Sequence, residues 1–111
     1  MAIISSHLLN STNGTHASGV KIIVNKITRN GKKIKFIEAI TDKNGRFFAE
    51  FALSKKDTKL DFEIIFKTAK YFSKQRNVSE IVIKFNMKNQ KKKYHMPIII
   101  SPNGYSVWWS K

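Results

Sequence analysis

The chain has 111 residues, 41% of them hydrophobic, which allows one modest core and is too short for two. It has no cysteine, so disulfide bonds, zinc–thiolate sites and thiol nucleophiles are excluded. The formal net charge is +14, yet 18 of the 21 basic residues are lysine. Because arginine is the residue that pairs bidentately with phosphates and bases, compositional bias explains this charge better than a nucleic-acid partner does.

The amino terminus carries no predicted leader, because residues 1–7 lack both a basic segment and a long apolar segment. No apolar run approaches the roughly 18 residues that a membrane span needs. We therefore expect a soluble, cytoplasmic protein without membrane contact. We also expect residues 1–111 to form a single domain, because no linker, repeat or low-complexity tract divides them.

Apolar and polar residues alternate along most of the chain, which is the period of half-buried strands. The first half predicts strands at 3–9, 20–26, 33–41 and 46–51. Asn30-Gly31 and Asn44-Gly45 separate the last three, and such pairs favour tight turns because both residue types tolerate positive φ.

The second half continues the pattern, with strands at 60–67, 81–87, 94–100 and 105–110 and a short helix within 68–77. About eight short strands and one helix predict an all-β fold, a two-sheet antiparallel sandwich. In the strand at 94–100 the even-numbered residues are expected to face the core and His95 to face outward. Pro97 has no N–H for a ladder, so that strand is expected at a sheet edge or broken there.

Three histidines and one arginine are the side chains that could take part in catalysis or binding. His7 and His95 lie within predicted strands, His16 follows the Asn13-Gly14 turn as a loop residue, and Arg46 follows a tight turn. Taken alone, each is explained as an ordinary strand or surface residue. Metal binding is poorly supported, because no cysteine or carboxylate lies at ligand spacing from His7 or His95.

Four stretches, in order and with matching spacing, resemble the 5-hydroxyisourate hydrolases, the enzymes related to transthyretin. They are residues 6–20, with Ser-His-Leu-Leu-Asn; residues 41–46, Thr-Asp-Lys-Asn-Gly-Arg; the Tyr71-Phe72 pair; and residues 94–106. The last, beginning Tyr-His-Met-Pro-Ile-Ile-Ile-Ser-Pro, is similar to the family's Tyr-His-Val-Pro-Leu-Leu-Leu-Ser-Pro and is the most specific.

The resemblance implies a transthyretin-like fold and hydrolysis of the ring amide of 5-hydroxyisourate, in urate degradation. It implies a catalytic set of His7, Arg46 and His95, without a metal or cofactor, acting on a small-molecule substrate. It also implies a homotetramer with the sites in clefts where two dimers meet face to face. A neutral histidine would act as general base and Arg46 would hold the anionic substrate. Which histidine is the base stays open.

The carboxyl terminus departs from the family's Tyr-Arg-Gly-Ser, because residues 108–111 read Trp-Trp-Ser-Lys. Trp108 replaces a tyrosine that contacts substrate, and Lys111 replaces the terminal serine. The neighbouring Ser110 is one residue out of step, which reverses side-chain direction in a strand. Trp108, Ser110 and Lys111 are the candidate substrate contacts here, and one of the two tryptophans should pack inward while the other faces outward.

Two functional hypotheses remain besides the hydrolase, the first because of the altered tail and the second because of the net charge. The first is a catalytically impaired relative that binds a small aromatic or anionic ligand in the same cleft. The second is a basic nucleic-acid-binding module, which rests on charge alone and is the weakest of the three.

Overall fold

The computed structural model describes residues 1–73 and 77–110. In these ranges the chain forms a 3-10 turn at Asp57–Lys59, one helical turn, α1, at Ala69–Phe72, and nine strands. The strands are β1 (Ala2–Asn10), β2 (Thr15–His16), β3 (Lys21–Ile27), β4 (Lys33–Ile40), β5 (Arg46–Phe51), β6 (Asp61–Lys67), β7 (Ile81–Asn86), β8 (Lys93–Ser101) and β9 (Gly104–Val107). No helix in the described ranges is long and apolar enough to cross a membrane.

The strands form two sheets. In the first sheet β1 is central, with β8 and then β9 on one side and both β2 and β5 on the other. The second sheet has the order β4-β3-β6-β7 and is antiparallel throughout. The predicted two-sheet sandwich is confirmed, with one addition: β1 and β8 run parallel. Parallel neighbours need a long connection, and here most of the chain lies between the two strands.

Alternation explains why these residues form a sandwich. The residues expected to face inward from β8 are Tyr94, Met96, Ile98 and Ile100, and all four are buried. Phe62, Ile64 and Phe66 of β6 are fully buried in the opposite sheet. Apolar side chains at every second position therefore meet between the sheets and leave the other face of each sheet for polar groups.

The ends of two predicted elements differ from the sequence analysis. The helix within 68–77 is confirmed at Ala69–Phe72, whereas residues 74–76 of that prediction lie outside the described ranges. The last strand ends at Val107, short of the predicted 110. The strand ends where the chain meets Pro97 of the neighbouring strand β8. The backbone N–H of Trp108 donates to the carbonyl of Pro97 at 3.3 Å, but Pro97 has no N–H to donate to Trp108 in exchange. Strand β8 is thus internal, not an edge strand, and its ladder with β9 is broken at the proline.

Candidate active site

The outer face of the first sheet gathers the histidines and the arginine predicted from sequence. Ser5 and His7 point away from the core because the buried residues Ile4 and Leu8 alternate with them in β1. In the sheet register, His7 lies opposite Arg46 of β5 on one side and opposite Pro97 of β8 on the other. The pairing of β1 with both strands therefore places all three predicted catalytic residues on one surface.

Arg46 is positioned by the turn that precedes it. Oδ1 of Asp42 accepts hydrogen bonds from the backbone N–H of Asn44 at 2.8 Å and of Arg46 at 3.0 Å. These two bonds lower the pKa of the Asp42 carboxyl, so it stays ionised and keeps the turn closed. Gly45 has φ +71°, and a Cβ there would lie 2.5 Å from the carbonyl oxygen of Leu8. Only glycine fits so close to β1, and the strand that begins with Arg46 is fixed against that surface.

His95 is held by a serine that the sequence analysis did not single out. The Ser5 hydroxyl lies 2.7 Å from Nδ1 of His95, on the neighbouring strand. Burial lowers the pKa of His95 below its usual value, and the positive charges of Lys93 and Arg46 lower it further. His95 is therefore neutral at pH 7, with one ring nitrogen engaged by Ser5. Within the described ranges Nε2 has no hydrogen-bond partner, so it is available to a substrate or water.

A cavity of about 380 Å³ opens beside this histidine. Arg46, Lys93, His95 and Ser110 contribute polar side chains to its lining, and Phe48 contributes an aromatic one. No carboxylate in the described ranges pairs with the guanidinium of Arg46, which leaves it free for an anionic ligand. The cavity thus combines positive charge with a neutral imidazole.

Ser110 reaches the cavity although it is one residue away from the position of the family's serine. Its backbone N–H donates to the carbonyl of His95 at 2.9 Å, in an isolated antiparallel bridge. Paired residues point to the same face of a sheet, so Ser110 points outward with His95. Lys111, the other candidate contact of this tail, lies outside the described residues.

His7 lies next to the cavity but is not part of its lining. Its Nε2 is 3.0 Å from Nδ1 of His16. Burial is the largest cause that lowers the pKa of His7, followed by Arg46, His16 and, more weakly, His95, while the backbone of Asn44 opposes the shift. These electrostatic effects reflect the closeness of His7 to the other site residues.

The two tryptophans differ in their contacts but not in their exposure, which is 47% for Trp108 and 46% for Trp109. Trp109 packs against the edge of the core, with ring centroids 5.8 Å from Phe85 and 6.0 Å from Tyr94, yet it is not buried as predicted for one of the pair. Trp108 is paired with the outward-facing Pro97 through its backbone and has 47% of its surface exposed. The outer face therefore carries the residue that stands in the place of the family's tyrosine.

Sequence reasoning missed Ser5, Lys93 and His16. Ser5 lies two residues before His7, and Lys93 lies two residues before His95. Alternation alone therefore places each of them on the same face as that histidine. His16 was interpreted as a loop residue, and this was wrong: it belongs to β2, opposite Leu9. A two-residue strand is too short to produce an alternation signal. The described residues contain no cluster of three or more His, Cys, Asp or Glu side chains suited to a metal ion.

The fold and this polar outer face define a transthyretin-like β-sandwich protein. A sequence profile of the HIUase/Transthyretin family matches residues 4–109, so the chain belongs to that family. It is 24% identical to a 5-hydroxyisourate hydrolase of Halalkalibacterium halodurans, over 95% of this chain and 94% of the relative. It is 30% identical to a 5-hydroxyisourate hydrolase of Salmonella typhimurium, over 96% of this chain and 79% of the relative.

Solved structures agree on the fold. The Klebsiella pneumoniae 5-hydroxyisourate hydrolase superposes with a TM-score of 0.76 at 22% identity, covering 98% of this chain and 99% of the other. An (S)-allantoin synthase superposes with a TM-score of 0.81 at 21% identity, covering 99% of this chain but 44% of that longer one. The predicted transthyretin-like sandwich is thereby confirmed.

Proposed function

We propose that this protein hydrolyses the ring amide of 5-hydroxyisourate in urate degradation. The observation that carries the proposal is one cavity in which an unpaired Arg46 guanidinium lies beside a neutral His95. Hydrolysis of an anionic cyclic amide needs these two functions, a base for water and a positive group for the substrate. The curated relatives that carry this enzyme name, over nearly the whole chain, give it further support.

His95 is the general base in this proposal. Its Nδ1 is tied to the Ser5 hydroxyl at 2.7 Å, which fixes the ring and leaves Nε2 to take a proton from water. Its lowered pKa keeps the ring unprotonated at neutral pH, the state that a base requires. The attacking water would lose a proton to Nε2 as its oxygen adds to the ring carbonyl. The tetrahedral adduct would then collapse with cleavage of the ring C–N bond, and the leaving nitrogen would take that proton back from Nε2.

Arg46 and the tail hold the substrate. The guanidinium of Arg46 would pair with the anionic substrate and with the oxyanion that forms when water adds. Trp108, Ser110 and Lys111 are the proposed contacts from the carboxyl terminus. Ser110 has the strongest support, because it lines the cavity next to His95.

His7 has a supporting role in this arrangement. Its Nε2 is engaged by His16 and the residue does not line the cavity, which leaves His95 as the histidine that faces the reacting water. Its position opposite Arg46 makes it a neighbour of the substrate-holding group. We therefore assign proton transfer to His95 and assign His7 to the binding of substrate beside Arg46.

The assembly belongs to the proposal as well. The outer face of the first sheet carries partly exposed apolar groups beside the cavity, including Ile3, Ile99 and Phe48. Apolar groups on a sheet face favour coverage by another surface. We propose that residues 1–111 form one domain and that four copies assemble with these faces in contact, in the cytoplasm.

The test is turnover of freshly generated 5-hydroxyisourate, followed by ultraviolet absorbance against its spontaneous decay. Wild-type protein should accelerate the decay, and His95→Ala or Arg46→Ala should reduce kcat/KM about 10²- to 10⁴-fold. Arg29→Ala, an exposed arginine at the β3–β4 turn, should leave it unchanged. No acceleration by a folded tetramer, measured by light scattering, would reject the hydrolase and favour ligand binding.

A further inference from the structure

His16 reaches His7 because of how the chain turns after β1. The segment 11–14 closes with Gly14 N donating to Asn10 O at 2.8 Å, and β2 then runs back along β1. In that pairing His16 lies opposite Leu9, so its side chain shares the outer face with Leu9 and, two residues back, with His7. Diagonal neighbours in an antiparallel pair are within reach of ring side chains.

The contact between the two rings is specific. Nε2 of His7 lies 3.0 Å from Nδ1 of His16, with ring centroids 5.1 Å apart. Two imidazole nitrogens at this distance share one proton, because one must donate and the other must accept. A neutral His7 has a single N–H, and the backbone of Asn44 raises the pKa of the ring, the effect of a carbonyl that attracts this N–H. Nε2 of His7 is then the acceptor and His16 the donor.

We propose that His16 is a positioning residue for His7: its Nδ1–H donates to Nε2 of His7 and holds that ring beside Arg46 in one tautomer. This inference rests on the proposed function, since it explains how His7 is kept in place within that site. Neither the family resemblance nor the sequence pattern assigns a role to His16.

The charges around His7 are consistent with this arrangement. Arg46 faces it from β5, His16 from β2 and His95 from β8. Protonation of His7 would turn Nε2 into a donor, so the bond would persist only if His16 moved its own proton from Nδ1 to its other ring nitrogen. Burial, Arg46 and His16 all lower the pKa of His7 and so favour its neutral form. A neutral His7 leaves the guanidinium as the cation that meets the substrate.

Two substitutions at position 16 separate the hydrogen bond from the bulk of the ring. His16→Phe keeps a ring without a donor, whereas His16→Asn can place an amide N–H at about the position of Nδ1. His16 is exposed, so both variants should fold. Nitrogen-15 chemical shifts of the histidine rings report the tautomer of His7 and its titration midpoint in the full-length protein, independently of activity.

Wild-type protein should show His7 protonated at Nδ1 and unprotonated at Nε2 at neutral pH. His16→Phe should give mixed tautomers, a higher midpoint for His7 and a kcat/KM lower by roughly 3- to 10-fold, the size expected for one lost hydrogen bond. His16→Asn should restore all three readouts. A His7 with the same tautomer and midpoint in wild type and His16→Phe would overturn the proposal.

The two proposals fail in different ways. If wild-type protein does not accelerate decay of the substrate, the hydrolase is rejected while the ring shifts still decide whether His16 positions His7. If wild type is active and His16→Phe alters neither the ring shifts nor kcat/KM, the hydrolase stands and the role of His16 is rejected.

Discussion

The hydroxyl of Ser5 and the imidazole of His95 are hydrogen-bonded at 2.7 Å across the parallel pairing of β1 with β8. The next residue, Ser6, forms an equally short bond of 2.7 Å, but to the backbone carbonyl of Met96 and from the buried side of the same strand. Two adjacent serines therefore link the same two strands, one through the proposed base and the other through the backbone.

Ser5→Ala should lower kcat with little loss of stability. Without the hydroxyl, His95 loses the partner that fixes its ring, so kcat should fall roughly 10-fold. Ser6→Ala is the matched control, because it removes a buried hydrogen bond and should cost about 1 kcal/mol of unfolding free energy with kcat unchanged. Steady-state turnover and urea unfolding of both variants check this. Equal kcat for Ser5→Ala and wild type would remove Ser5 from the mechanism.

The pH dependence of turnover should reflect the lowered pKa of His95. Burial and the charges of Lys93 and Arg46 disfavour the protonated ring, so the base form persists below the reference pKa of about 6.5. The acid limb of kcat/KM should have its midpoint below that value. Stability should move in the same direction: as pH falls below about 6.5 the unfolded chain binds a proton that folded His95 resists, and the free energy of unfolding decreases.

Lys93→Met should shift that acid limb toward higher pH. Removing one positive neighbour favours the protonated ring, and since Lys93 is exposed to solvent the shift should be small. Lys91→Met is the control, an exposed lysine of the same turn that does not line the cavity. Profiles of kcat/KM from pH 5 to 8 compare the two. Identical profiles for Lys93→Met and wild type would mean that this lysine does not act on the base.

Gly45→Ala should harm both stability and activity, because position 45 combines a positive φ with a close contact. At φ +71° a side chain costs about 1 kcal/mol, and its Cβ would lie 2.5 Å from Leu8 O, which adds about 1–3 kcal/mol and displaces Arg46. Gly31→Ala is the matched control, since Gly31 has φ +85° with no atom within 4 Å of its Cβ position. Chemical denaturation and kcat/KM should therefore separate the two, with Gly31→Ala losing only the conformational cost.

Local patterns predicted most of the fold, but not how distant strands meet. Alternation placed the buried residues of β8 correctly, and the turn chemistry before Arg46 predicted the start of β5. The parallel pairing of β1 with β8 joins segments about 90 residues apart, and no short-range signal encodes such a contact.

The same limit applies to the candidate site. The resemblance supplied His7, Arg46 and His95, while the contacts of Ser5 with His95 and of His16 with His7 became visible only through the sheet register. Ser110 was a candidate contact although it is one residue out of step with the family's serine. The bridge from Ser110 to His95 continues the register in which Val107 pairs with Ile98, so alternation places Ser110 on the outer face with Trp108.

The two tryptophans of the tail should respond to substitution in opposite ways. Trp108 is exposed on the outer face, so Trp108→Ala should raise KM roughly 3- to 10-fold without lowering the melting temperature. Trp109 packs on Phe85 and Tyr94, so Trp109→Ala should cost about 1–2 kcal/mol of unfolding free energy. Turnover kinetics and thermal unfolding measure both effects.

Trp108→Tyr decides whether the altered tail limits the reaction. If Trp108 contacts substrate as the family's tyrosine does, the tyrosine variant should keep the wild-type kcat/KM within about threefold, because both side chains offer an aromatic ring and a hydrogen-bond donor. A large gain in kcat from Trp108→Tyr would instead mean that the tryptophan obstructs the cavity. An inactive wild type together with an active Trp108→Tyr would identify this single residue as the cause of lost catalysis, because the set of Arg46 and His95 is common to both proteins.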